Sequence, residues 1–240
     1  MAKGLAIAAG GGFASAALYL TVMFDAPGAL LLAYLALMPH FVAGLGWGSR
    51  AVIVSTGVAT AIIASLASGR IGIVFALAYA LPAVAMVIVA LRQRTAPDGT
   101  TEFYSVGRLV SWLAIYACGG FSLLALFGGD GEVESWLREI ESAMRDVVAV
   151  GSSPEAAVLI KAIAEFFPAI MIASWLIMVL VNAAIAQLVL ERSGHNLRPR
   201  PQAATIELPE WFMAVTAGAA ALALLAPRDG DDGARLCRAQ

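Results

Sequence analysis

The run from Phe166 to Leu190 holds no charged side chain. As a helix rising about 1.5 Å per residue, it is long enough to cross a bilayer core of about 30 Å. Its flanks differ in sign. An acidic segment ends at Glu165, whereas Arg192, Arg198 and Arg200 follow the run. Such a span is expected to leave its arginine end in the cytoplasm. Because crossings alternate, this one segment sets the side on which every other loop should lie.

The rest of the chain has the same character. Of its 240 residues, 60% are hydrophobic and 13% charged, with a mean hydropathy of +0.83. A soluble domain is about 25% charged, so these few charges could not cover a water-facing surface. The expected fold class is all-α, a polytopic helical membrane protein. Six spans are expected near residues 4–23, 28–46, 51–68, 71–91, 105–127 and 166–190, with a short seventh run at 211–226. The first could pass for a signal peptide, because Ala14-Ser15-Ala16 imitates a cleavage site. However, the apolar run continues beyond it and further spans follow. The segment from Gln93 to Tyr104 carries Pro97, Asp98 and Gly99 and reads as a loop. The two cysteines, Cys118 and Cys237, suggest neither a disulfide framework nor a metal site.

Between the fifth and sixth spans, residues 128–165 hold eight acids and three bases. Val133, Trp136, Leu137, Ile140, Met144, Val147 and Val148 recur at helical spacing, so an amphipathic helix with an acidic polar face is expected there. Ser152-Ser153-Pro154-Glu155 is a helix start, and this second helix should run into the sixth span with a kink near Pro168. With the N-terminus inside, Lys3, Arg50, Arg92, Arg94, Arg108, Arg192, Arg198 and Arg200 are cytoplasmic and the acidic region is outside. The expected location is the bacterial inner membrane. A seventh crossing would put the arginines of the tail outside. Residues 211–226 are therefore expected not to cross, or the tail at 227–240 to be a truncated or non-native ending.

Several segments resemble a family of uncharacterised bacterial membrane proteins, domain-of-unknown-function family 2232 (YybS-like). They are PHFVAGLGWGSRA at Pro39 to Ala51, YSVGRLVSWLA at Tyr104 to Ala114, and the stretch from Phe166 to Trp211 with its Trp175, Asn182, Gln187, Arg198-Pro199 and closing LPEW. The family is distantly similar to the substrate-binding S components of energy-coupling-factor vitamin transporters. That similarity implies six helices, a small ligand held near the outer face, and docking on a transmembrane coupling subunit through small residues of the first helix. Gly4, Ala8, Gly12 and Ala16 form such a stripe, as either a helix-packing or a partner-docking face. The resemblance supplies no substrate motif.

Polar groups within spans need partners, which makes each a candidate site. Asn182, Trp175 and Pro168 share a helix face, so Asn182 either bonds a neighbouring helix or lines a cavity. His40 follows Pro39 and can bond a freed carbonyl or titrate in a pathway. Tyr79 and Tyr116, with Trp112, can stack on a ring-shaped ligand or simply pack. Gln187 lies near the inner end and is expected to be solvated. The arginines of residues 192–200 are explained by topology, and nucleic-acid binding would need a larger basic patch. No GxSxG, HExxH, P-loop or dinucleotide-binding signature occurs in a fitting context, so no catalytic residue, cofactor or metal is expected. The expected function is a small-molecule-binding or transport subunit, drawing on partner ATPases. The competing class is a membrane scaffold or assembly factor.

Topology reporters test the orientation. An alkaline phosphatase fusion near Trp136 should be active and one within residues 93–104 inactive; the reverse pattern would invert every assignment of side.

Overall fold

The computed structural model describes residues 2–24, 28–95, 99, 101–127, 135, 138, 142, 154–199 and 207–225. Among the described residues, six helical segments are long and apolar enough to cross a membrane: Lys3–Phe24, Ala29–Trp47, Ser49–Leu66, Gly69–Ala90, Val106–Leu123 and Phe166–Ser193. They coincide with the expected spans to within a few residues.

Three of the six are not continuous α-helices. The first span is α1, Ala2–Leu20, with a 3₁₀ turn at Thr21–Phe24. The second divides into α2, Ala29–Tyr34, and α3, Met38–Trp47. Pro39 sits in the first turn of α3, where its missing N–H is tolerated. The third is α4, Ser49–Leu66. The fourth comprises α5, Gly69–Phe75, a π-helical turn at Ala76–Ala80, and α6, Leu81–Ala90. Pro82 follows the π turn, and its lack of an N–H explains why the ladder shifts register there. The fifth is α7, Val106–Phe127. The sixth belongs to α8, Pro154–Ser193, a 40-residue helix that runs through Pro168 without interruption, so the expected helix start does feed the span. A final helix, α9, covers Glu210–Leu225; its 16 residues are short for a crossing.

Residues 93–104 hold more order than a plain loop. Gln93–Thr95 (β1) and Thr101–Phe103 (β2) pair antiparallel, with Arg94 facing Glu102. Their side chains form an exposed ion pair at 2.7 Å. Strands of three residues leave too little alternation to be seen in a sequence. The amphipathic helix expected at residues 133–148 lies outside the described residues, apart from Ser135, Arg138 and Ser142, which are helical. The tail at 227–240 also lies outside them.

The core centres on α3. Leu37, Phe41, Leu45, Val52, Val87, Leu109, Val179 and Leu190 form its main cluster, drawn from α3, α4, α6, α7 and α8. Small residues let α3 sit this deep. A Cβ on Gly44 would meet Val87 at 2.8 Å and Val52 at 2.9 Å, and one on Gly46 would meet Leu190 at 2.7 Å. The stripe on α1 is spent in the same way. Ala8 and Ala16 are buried, Gly4 faces Trp47, and a Cβ on Gly12 would overlap the Ser55 carbonyl and Val58. Within the chain, this stripe packs against α3 and α4. By contrast, Gly57, Ala61 and Ser65 on α4 face outward and are exposed.

Two glycines of α1 separate these effects. Gly12→Ala should lower the thermal midpoint in detergent, because overpacking a tight contact costs about 1–3 kcal/mol. Gly10→Ala, where a Cβ meets nothing within 4 Å, should leave the midpoint unchanged or raise it. Equal effects would mean that α1 does not pack on α4 through this face.

Candidate functional site

The breaks in the second and fourth spans free backbone carbonyls inside the membrane region, where each unsatisfied group costs several kcal/mol. Three of the residues singled out in the sequence, Tyr116, Trp175 and Asn182, donate to carbonyls at these breaks.

At the π turn, the Leu81 N–H donates to the Ala76 carbonyl, one residue further back than in an α-helix. The Leu77 carbonyl loses its usual donor, and Pro82 cannot serve Ala78. Tyr116 on α7 donates its hydroxyl to the Leu77 carbonyl at 2.6 Å. Trp175 on α8 donates Nε1–H to the Ala78 carbonyl at 3.0 Å. The two rings lie 6.1 Å apart. Tyr79 instead joins an aromatic cluster, 5.2 Å from Phe75 and 5.3 Å from Tyr19 between ring centres.

At the gap between α2 and α3, Asn182 on α8 donates its amide to the Tyr34 carbonyl at 2.6 Å and to the Met178 carbonyl at 2.8 Å. Its Oδ1 is buried without a partner among the described residues. Turning the amide over would aim that oxygen at two carbonyls, so the orientation is firm. Ser15 on α1 donates its hydroxyl to the Ala36 carbonyl at 2.6 Å. Its only proton is then used, so its 2.8 Å contact with Nε2 of His40 needs the proton on Nε2. Nδ1 of His40 then accepts from the Ser55 hydroxyl, also at 2.8 Å. The resulting chain, Ser55 to His40 to Ser15 to the Ala36 carbonyl, is directional, complete and buried. Nothing in the sequence singled out Ser15 or Ser55 as partners, because Ser and Thr are common within spans.

These residues line neither of the two recesses described below. A cavity of about 370 Å³ lies elsewhere, walled by Phe41 and Leu45 of α3, Val87 of α6, Leu109 of α7, and Leu180 and Ala183 of α8. Its polar lining is Gln187 and Arg198. None of His40, Tyr79, Tyr116, Trp175 and Asn182 lines it. The volume falls within the range of small-molecule pockets.

Arg198 is held by the segment that follows α8. The Leu197 N–H donates to the Leu45 carbonyl at 3.2 Å, and His195 stacks on Trp47 with ring centres 5.5 Å apart. This turns the chain back under the bundle and carries Arg198 inward. Nη1 donates to the Ala90 carbonyl at 3.1 Å and Nη2 to the Tyr104 carbonyl at 2.9 Å. The guanidinium carbon lies 5.5 Å from the centre of the Phe103 ring. Arg198 is only 9% exposed, and burial pulls its pKa below the usual arginine value, although an arginine stays charged. Gln187 is buried rather than solvated as expected, because its Nε2 donates to the Arg198 carbonyl at 2.7 Å. A counting rule for positive charge assigns Arg198 to a loop, and only tertiary contact reveals its burial. A larger, open recess of about 910 Å³ lies beside the β-hairpin. It mixes Arg92, Arg94 and Arg108 with Glu102, Glu207 and Glu210, so its lining favours neither sign of charge.

The family described as "Predicted membrane protein (DUF2232)" matches residues 13–231, nearly the whole chain. The chain belongs to that family. No curated protein and no solved structure matches it. The match covers the second to sixth spans and the latter half of the first, together with Gln187 and Arg198.

The role of Trp175 is testable through Pro82. Trp175→Phe removes the donor to Ala78 and should destabilise the protein by about 1 kcal/mol. In a Pro82→Ala background, the new N–H can serve that carbonyl, so the same change should cost close to nothing. Unfolding midpoints of the four proteins would show this coupling; additive costs would refute the carbonyl role.

Proposed function

We propose that this chain is the membrane-embedded binding subunit of a small-molecule transport system in a bacterial inner membrane. The observation that carries the proposal is the cavity of about 370 Å³ among α3, α6, α7 and α8. It is a half-open recess whose volume suits a small molecule. Its walls are apolar and its polar groups gather at one end, the usual design of a site that orients a small ligand. The six crossings suit the S-component comparison. Positive-inside counting places the N-terminus and the Arg198 end in the cytoplasm. The cavity then lies towards the cytoplasmic half, not towards the outer face where S components hold their vitamin. The sequence has no P-loop, so energised transport would draw on a coupling subunit and ATPases.

The scaffold reading has one observation in its favour. Gly57, Ala61 and Ser65 form an outward face on α4 on which another helix could pack closely.

Native mass spectrometry of the gently purified protein separates the two. A binding subunit should carry one small molecule per chain, lost in the cavity-filling variant Ala183→Trp. A protein that is always empty, yet co-purifies with a stoichiometric membrane partner, would overturn the binding proposal.

A further inference from the structure

Arg198 presents an imbalance that its packing role does not resolve. A guanidinium has five N–H donors. Two of its nitrogens bond the Ala90 and Tyr104 carbonyls. Among the described residues, no carboxylate lies within ion-pair distance of it. The C-terminal end of α6, which includes Ala90, contributes partial negative charge, and the Phe103 face contributes a little more. Neither equals a full counter-charge. A buried cation without one is costly unless an anion reaches it.

The same side chain ends an otherwise apolar cavity, and Gln187 stands beside it. Gln187 uses its amide nitrogen on the Arg198 carbonyl, which leaves Oε1 to accept from a hydroxyl beside the anionic head, such as that of a monoprotonated phosphate. The geometry points to an acidic amphiphile as the occupant: an apolar chain lying between Phe41, Val87, Leu109 and Leu180, with a carboxylate or phosphate head on Arg198. This rests on the binding-subunit reading and adds the ligand's chemical class. A neutral ligand of the same shape would leave Arg198 uncompensated. A cationic one would be repelled. The acid head would come from a free fatty acid or from an anionic phospholipid, since both offer the same chemistry to a guanidinium.

The test uses the full chain in non-ionic detergent, titrated in native mass spectrometry with laurate, dodecanol, dodecyl phosphate and phosphatidylglycerol. Laurate or dodecyl phosphate should bind one per chain, at least tenfold more tightly than dodecanol. Arg198→Gln should remove that preference and Arg198→Lys should keep part of it. Because Arg198 also fastens the base of the bundle, Ala183→Trp provides a second variant that leaves the arginine in place. It should abolish acid binding while the thermal midpoint shows a folded protein. Tighter binding of phosphatidylglycerol than of laurate supports the proposal with a membrane lipid as the source, and the opposite order supports it with a free acid. Equal binding of laurate and dodecanol overturns the acid assignment and leaves the binding-subunit reading standing. No binding by any probe overturns the acidic-amphiphile assignment, and the binding-subunit reading is then decided by the mass of the gently purified protein. An acid preference that survives Ala183→Trp places the acid elsewhere and overturns the assignment to this cavity.

Discussion

A carbonyl oxygen in hydrocarbon must find a donor, and this requirement organises the centre of the bundle. Pro82 and the gap before Pro39 interrupt two of the six ladders. Each interruption exposes acceptors that the local helix cannot serve. Side chains from three other spans serve them: Tyr116 from α7, Trp175 and Asn182 from α8, and Ser15 from α1. The breaks thus become points of attachment. α8 holds both broken spans, which ties the second, fourth and sixth crossings into one unit around α3.

This dependence explains why polar residues within spans are weak indicators of a binding site. A polar group in a membrane helix announces that it has a partner, without saying whether that partner is a ligand or a backbone. Asn182 and Trp175 were legible as special and as sharing a face. Their carbonyl partners, Tyr34 and Ala78, lie on different spans, and no periodicity in the chain connects them. The spans themselves were legible almost to the residue, because length and charge suffice for that. The π turn was not, although Pro82 marked the place. Arg198 shows the converse failure. Charge counting explains a loop arginine so well that nothing prompts a second explanation, yet the fold buries it.

The small residues follow a similar logic. In lipid there is little hydrophobic gain when helices meet, so close approach must supply the contact energy. Gly12, Gly44 and Gly46 each occupy a place where a Cβ would collide with a neighbour. They bring α1 and α3 into the bundle, while Ala6, Gly10 and Ala14 of α1 and Gly57, Ala61 and Ser65 of α4 stay exposed as outward small-residue faces.

Two buried polar side chains illustrate how structural and functional groups can be told apart here. His40 has both ring nitrogens engaged, in a chain that begins at a hydroxyl and ends at a carbonyl. Its network is closed and neutral, and a ligand would have to break a bond to join it. Arg198 has spare donors, a full charge, and a neighbouring cavity that its two carbonyl bonds do not fill. Burial is common to both, so burial cannot distinguish them. What differs is whether the surrounding atoms complete the group's valence of hydrogen bonds and charge. By that criterion the buried histidine belongs to the architecture, and the arginine at the base of the bundle borders a cavity whose polar end suits an anion.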